Sequence, residues 1–413
     1  MKKRRWLAGL TAAVLLLWQW PLAAAADGGR VLLYDNEDGE VLSALLEEDA
    51  QAWPTAAPVQ ASGLDIRAKG AVLMDQGSGT VLYEKDAYTQ LPIASVTKVM
   101  TLLLVMEAID AGQIAWTDQV SCSARAASMG GSQIWLEPGE IMTVEELVKS
   151  AAVVSANDAC TALAEHLCGS LEAFVERMNT RAAELSMENT HFVDCSGLDD
   201  TGYSCAYDVA VMSRQLMTHP DITRFTTIWM DTLRGGKSQL VNTNKLVRHY
   251  SGATGLKTGT TQAAGHCLAA TAEKNGTAFV AVVLGCTTTA DRFNGARAML
   301  DHAFASYVAY TPPVDTLSLQ PIPVRGGREP QVALTVETPE PLLLKKGTEK
   351  AVESTVELAE DLEAPVEKGQ IVGTWRLTAG EETLGEYPVC AAEAVAEMDL
   401  RTAYALLYAA LLR

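Results

Sequence analysis

Apolar and polar positions change their period several times along this chain, and each change marks a different kind of element. Residues 92–108, "PIASVTKVMTLLLVMEA", open on a proline and run into a nearly unbroken apolar stretch, which predicts a buried helix. "TVEELVKSAAVV" begins with a T-x-x-E capping box at Thr143 and Glu146 and continues with helical apolar spacing. "HCLAATAEKNGTAFVAVVLGC" (266–286) reads as two apolar strands around Asn275-Gly276, a strong hairpin signal. "AVLMDQGSGTVL" (71–82) reads as two short strands around an Asp/Gly turn, and "VLLYDNEDGEVL" (31–42) echoes it at a constant offset of 40 residues. Convergence on a common hairpin pattern explains the echo more simply than duplication.

These signals divide the chain. Residues 64–310 alternate helical and strand patterns, a mixed α/β domain with at least some antiparallel sheet. From 311 to 390, prolines and glycines punctuate short runs such as "VALTVET", "STVELAE" and "IVGTWRLT", a small all-β domain. Residues 391–413 contain "MDLRTAYALLYAALLR", a terminal helix whose uncharged run is too short to span a bilayer. It lacks a basic face, so peripheral membrane contact and packing on protein are both open. Residues 27–63, acidic with alanine and proline, read as an extension and linker.

Composition adds the compartment. Residues 1–26 carry four basic residues, an apolar stretch and a small-residue exit at Ala23 to Ala26, the layout of a signal peptide; the alternative is a retained anchor. Its removal takes Lys2, Lys3, Arg4 and Arg5 and no acid, so the formal charge goes from −19 to −23. So acidic a product repels nucleic acid. The length of 413 residues fits about two domains. Eight cysteines in an exported chain could pair, but Cys160, Cys168, Cys267 and Cys286 lie in apolar runs and read as small buried hydrophobes. No C-x-x-C occurs and the six histidines are scattered, so no metal site and no cofactor are indicated.

Three short motifs carry candidate chemistry. Ser95-Val-Thr-Lys98 places a hydroxyl and an amine at i and i+3, one helical turn apart. A serine becomes a nucleophile when a base takes its proton, and a lysine can be that base in its neutral form, which burial favours. Alone, S-x-x-K arises about once by chance in such a chain, and a helix start with a snorkelling lysine is the simpler reading. Ser155-Ala-Asn157 lies between two helical runs, where a hydroxyl could relay a proton and an amide could hold a substrate amide; alone it reads as a connection, with Asn157 or Asp158 capping the next helix. Lys257-Thr258-Gly259-Thr260 begins a strand. There Gly259 permits close approach, Lys257 supplies charge, and Thr258 and Thr260 offer hydroxyls to a carboxylate.

Together the motifs appear in the order known for penicillin-binding proteins and class A β-lactamases. With "AKGAVLMDQGSGTVLYEKDAYTQLPIASVTKVMT", "WLEPGEIMTVEELVKSAAVVSANDACTALAEHLCGS", "NTNKLV", "GLKTGTT", "DRFNGARAML" and "EAPVEKGQIVG", the chain resembles the low-molecular-mass penicillin-binding proteins of the D-alanyl-D-alanine carboxypeptidase type, serine peptidase family S11. The resemblance runs from about Asp65 to Cys390. It implies a β-lactamase-like transpeptidase domain followed by a β-rich domain, on the outer face of the membrane or in the wall. It further implies removal of the terminal D-alanine from peptidoglycan stem peptides, limiting cross-linking, and inhibition by β-lactams. By the same resemblance Ser95 is the nucleophile, Lys98 its base and Ser155 a proton relay. Asn157, Lys257, Thr258, Gly259 and Thr260 would bind substrate, the Ser95 and Thr260 N–H groups would form the oxyanion hole, and Arg292 would help hold the terminal carboxylate.

Asp194-Cys195 and Gly202-Tyr203 stand where the family pattern leads one to expect Asn-Pro and a His-Tyr-like pair, which puts loop shape and peptide preference in question. A class A β-lactamase would also need an E-x-x-L-N element after Ser155, and none occurs between Thr161 and Ala210. A non-enzymatic β-lactam sensor or wall-binding module is less economical, because Ser95, Lys98 and Ser155 are all present.

Overall fold

The computed structural model describes residues 64–413, apart from 315–316, 338 and 412–413. The signal-peptide pattern, the 31–42 echo and the linker lie outside the described residues.

Strand β1 (Gly70–Asp75) turns back into β2 (Val81–Lys85). Asp75 makes that turn by accepting from the backbone N–H and the hydroxyl of Ser78, both at 2.7 Å. A block of helices follows: α1 (Lys98–Asp110), α2 (Val144–Val153), α3 (Asn157–Cys168), α4 (Leu171–Glu184) and α5 (Ala206–Leu216). The chain then forms β3 (Ala253–Thr261), β4 (Gly265–Lys274), β5 (Thr277–Cys286) and α6 (Thr289–Ser306). The five strands make one antiparallel sheet in the order β2-β1-β5-β4-β3.

The apolar pattern of β5 explains the layering. Phe279, Ala281 and Val283 pack with Phe293, Met299 and Leu300 of α6, while Val280, Val282 and Leu284 pack toward the helical block on the other face. A strand buried on both faces cannot alternate with polar residues, hence its continuous apolar run. Helix α1 lies inside the helical block, and Val99 to Met106 are all buried. An element apolar all round is one surrounded by protein.

The Thr143–Glu146 capping box is formed at α2, with Glu146 N donating to Thr143 Oγ1 at 3.2 Å. The β4–β5 hairpin turns at Asn275 and Gly276, at φ 52° and 76°. Both positive angles are those of a type I′ turn. Asn157 opens α3 without capping it: the cap position belongs to Ala156, and Asp158 is used elsewhere.

The remainder is mostly strand. Tyr307–Tyr310 pairs antiparallel with Leu342–Lys345, so a segment from beyond residue 310 returns to the end of the first sheet domain. A four-stranded antiparallel sheet follows, β6 (Leu334–Val336), β7 (Val352–Leu358), β8 (Ile371–Ala379) and β9 (Glu382–Ala391), in the order β6-β9-β8-β7. Its core centres on Trp375, whose buried ring packs among Val332, Leu377 and Val389 while its N–H donates to Ser354 at 2.7 Å. Helix α7 (Leu400–Leu411) leaves Leu400, Tyr404, Tyr408 and Leu411 exposed. No helix among the described residues is long and apolar enough to cross a membrane.

Candidate active site

Ser95 lies in a short 3-10 turn, Ala94–Thr97, that runs directly into α1 at Lys98. In that geometry residues i and i+3 eclipse, so the lysine stands over the serine. Lys98 Nζ is 2.7 Å from Ser95 Oγ and 2.8 Å from the carbonyl oxygen of Ser196, and the whole side chain is buried. No carboxylate pairs with it among the described residues. An amine so placed has a hydroxyl within hydrogen-bond reach to act on.

The loop that offers the Ser196 carbonyl is built by Asp194. One carboxylate oxygen accepts from the N–H groups of Ser196 (2.8 Å) and Gly197, and the other from Asp199 N at 2.8 Å. Thr101 fastens the same loop to α1 through a 2.6 Å bond to Cys195 O. Gly197 is required by space as well as by its φ of 75°: a Cβ there would lie 1.8 Å from Ala94 O.

Ser155 sits in the connection from α2 to α3 at φ 64°, a left-handed conformation uncommon for a residue with a Cβ. Its hydroxyl and the Asn157 side-chain carbonyl oxygen are buried and have no hydrogen-bond partner among the described residues. Buried polar atoms are nearly always paired, so two orphans two residues apart point to a ligand. Asn157 is held from its other end, its Nδ2 donating to Gly130 O at 2.7 Å and its backbone N–H to Ser132 O at 2.7 Å. Asp158 anchors the same loop by accepting from Ile134 N and Leu136 N at 3.0–3.1 Å. Burial pushes its carboxyl up, and those backbone donors oppose the shift.

Strand β3 brings the third motif to the other two. Gly259 passes so close to the 3-10 turn that a Cβ on it would be 2.9 Å from Ser95 N. Thr258 Oγ1 donates to Thr243 Oγ1 at 2.7 Å, and Thr243 N donates to Val153 O at 3.1 Å, which ties β3 to the end of α2 just before Ser155. Lys257 is buried, and its Nζ donates to Thr258 O at 2.8 Å. From α6, Arg292 reaches across to donate to Thr260 Oγ1 at 2.7 Å. These contacts join Ser95 and Lys98 to Gly259, and Arg292 to Thr260, while Thr243 ties Thr258 to the end of α2, two residues before Ser155.

These contacts bear on the family. Residues 55–288 match the peptidase S11 family, described as D-alanyl-D-alanine carboxypeptidase, and residues 315–397 match the C-terminal domain of penicillin-binding protein 5. The chain belongs to the S11 peptidases. It is 43% identical to the D-alanyl-D-alanine carboxypeptidase DacF of Bacillus subtilis over 337 residues, 80% of this chain and 87% of that protein. It is 33% identical to DacC of Escherichia coli, over 84% of this chain and 88% of that protein. Among solved structures, penicillin-binding protein 5 of Haemophilus influenzae aligns with TM-score 0.69 at 29% identity, covering 83% of this chain and all of that one. Penicillin-binding protein D2 of Listeria monocytogenes, in its ampicillin-bound form, aligns at 0.54 and 31% identity, covering 59% of this chain and 99% of that one. The fold is thus that of the S11 enzymes, a mixed α/β penicillin-binding domain followed by a β-rich one.

In this S11 peptidase several contributors carry no motif of their own. Asp194, Ser196 and Thr101 shape the seat of Lys98, Thr243 links two motifs, and His266 lies opposite Thr260 on β4. Only Asp194-Cys195-Ser196-Gly197 offered a local signal, a turn-forming Asp and Gly around a serine. None of the eight cysteines forms a disulfide; Cys160, Cys267 and Cys286 are buried, and Cys168 is partly exposed.

Proposed function

We propose that this S11 enzyme cleaves the terminal D-alanine from peptidoglycan stem peptides ending in D-Ala-D-Ala, through an acyl-enzyme on Ser95. The contact that supports this most directly is the buried Lys98 amine nitrogen 2.7 Å from Ser95 Oγ. Ser95 Oγ attacks the carbonyl carbon of the penultimate D-alanine as Lys98 takes its proton. The oxyanion is held by the N–H groups of Ser95 and Thr260, a placement favoured by the approach of β3 to Ser95 N. Collapse breaks the peptide bond, and Ser155 passes a proton to the leaving amine. Water then attacks the ester carbonyl and restores Ser95, so one water is consumed per D-alanine released.

Asn157 Oδ1 would accept from the substrate amide. Lys257, Thr258, Thr260 and Arg292 would hold the terminal carboxylate; Gly259, expected to let a ligand approach, instead gives its room to the turn that carries Ser95, because a Cβ there would meet Ile93 O and the N–H groups of Ser95 and Val96. A β-lactam carries the same acyl carbon and carboxylate and would acylate Ser95 without a leaving group to diffuse away. The N-terminal pattern supports export, so the enzyme would act outside the membrane. The exposed Leu400, Tyr404, Tyr408 and Leu411 support peripheral membrane contact through α7.

The test is a paired assay on the purified protein: release of free D-alanine from a D-Ala-D-Ala peptide, and covalent labelling by penicillin. Both are expected, and both should vanish in Ser95→Ala. Labelling without release would replace the enzyme with a sensor; rapid penicillin turnover without peptide cleavage would replace it with a β-lactamase. Sedimentation with anionic and neutral vesicles, with and without residues 392–413, reads the membrane contact.

A further inference from the structure

His266 stands opposite Thr260 in the β3–β4 register. Its Nδ1 is 3.5 Å from Thr260 Oγ1 and 3.4 Å from Thr289 Oγ1. Thr260 Oγ1 already accepts from Arg292 at 2.7 Å. A hydroxyl has one proton to give, and here two acceptors would compete for it: the ring nitrogen of a neutral His266, and a carboxylate bound at Thr260. Protonation of the imidazole reverses the relation. Nδ1 becomes a donor, the Thr260 proton is released toward the carboxylate, and a positive charge is added beside the subsite.

We infer that His266 is a positioning residue that couples affinity for the substrate's terminal carboxylate to pH. The inference rests on the carboxylate placement proposed above.

The imidazole is placed to exchange protons with solvent. It is half-buried and lines an open groove of about 640 Å³ with Lys69, Thr260, Thr261, Gln262 and Cys286 among others. The charged and titratable groups around it are of both signs. Arg292 on α6 donates to Thr260 and Lys69 ahead of β1 lines the same groove, while Asp291 lies in the first turn of α6 and Asp200 accepts from Thr261 Oγ1 at 2.5 Å. Cys286, its register partner on β5, is held neutral by burial, its thiol pushed up to about 12. A bound carboxylate adds to the second group. By reciprocity, substrate stabilises the protonated ring and the protonated ring stabilises substrate.

The experiment compares the wild-type protein with His266→Gln and His266→Phe between about pH 5 and 8, where an imidazole titrates. For release of D-alanine, KM of the wild type should rise roughly fivefold with pH along a one-proton curve, a typical size for coupling between sites. KM of both variants should stay flat relative to it, while the pH course of kcat is shared. Parallel KM curves in wild type and variants would overturn the inference. The second arm is acylation by penicillin against its methyl ester, which lacks the carboxylate. The pH-dependent ratio of the two rates should be present in the wild type and absent in His266→Gln. If no D-alanine is released at all, the proposed function fails, and this second ratio alone decides the role of His266. Thermal melting shows whether each variant is folded; if His266→Phe is not, the Gln variant carries the comparison.

Discussion

Gly259 and Ser95 lie 164 residues apart in the chain, yet a Cβ on Gly259 would lie 2.9 Å from the Ser95 backbone nitrogen. The same Cβ would meet Ile93 O at 2.7 Å and Val96 N at 2.9 Å, all backbone atoms with little freedom to yield. Gly259→Ala must therefore push β3 away from the turn that carries the nucleophile. One oxyanion donor is worth roughly 10²–10³ in rate. The acylation rate of Gly259→Ala with labelled penicillin should fall by about that factor, and a change under threefold would show that β3 does not contribute to the oxyanion site.

Lys98 is fully buried and makes hydrogen bonds only to a hydroxyl and a carbonyl, with no carboxylate partner among the described residues. Such a group is costly to the fold and useful to the chemistry. Lys98→Met should lower acylation by about 10²–10⁴, the usual range for a general base. Its melting temperature should equal or exceed that of the wild type. A marked fall in melting temperature would mean that the lysine is held mainly for structure.

How far the site was legible follows from how local its determinants are. Ser95 and Lys98 are one turn apart, and the Asn275-Gly276 turn and the Thr143 cap are each complete within four residues, so a short window contains them. The meeting of Gly259 with Ser95, or of Thr243 with Val153 and Thr258, depends on sheet order, and no short window holds that. Asp158 shows the limit in miniature. It has the composition of a helix cap, but tertiary contacts turn its carboxylate toward Ile134 and Leu136 instead. His266 was invisible for the same reason: its partner is across a register, not along the chain.

Asp194 lies in the segment whose sequence departs from the family pattern, and it nevertheless organises the seat of Lys98. Replacing it by alanine strands the N–H groups of Ser196, Gly197 and Asp199. Each buried donor left unpaired costs about 1–3 kcal/mol, with solvent recovering part at the exposed Asp199. Asp194→Ala should lower kcat/KM at least tenfold together with the melting temperature. Asp194→Asn keeps the oxygen that serves Ser196 and Gly197, and should recover most of the loss when its side-chain carbonyl takes that position. Equal damage in the two variants would assign the effect to charge instead of loop geometry.

The cysteines give a pH dependence whose sign can be worked out. Burial pushes the Cys160 thiol up to about 11 and those of Cys205 and Cys286 to about 12, and it raises Cys195 as well. In the unfolded chain a thiol ionises near 9, the ordinary value. Between that pH and the raised values the folded state keeps protons that the unfolded state has lost. Stability is therefore fully present below about pH 9 and falls as pH rises through the window to about 12. Each such thiol contributes a slope of up to about 1.4 kcal/mol per pH unit. Urea midpoints should drop steeply above pH 9, and Cys160→Ala should soften that slope while costing some stability at neutral pH through lost packing. The same burial predicts that iodoacetamide at pH 8 labels Cys168 and Cys390, the two partly exposed thiols, well before the others. Fast labelling of Cys160 or Cys195 in the folded protein would show that the helical block opens far more readily than its packing implies.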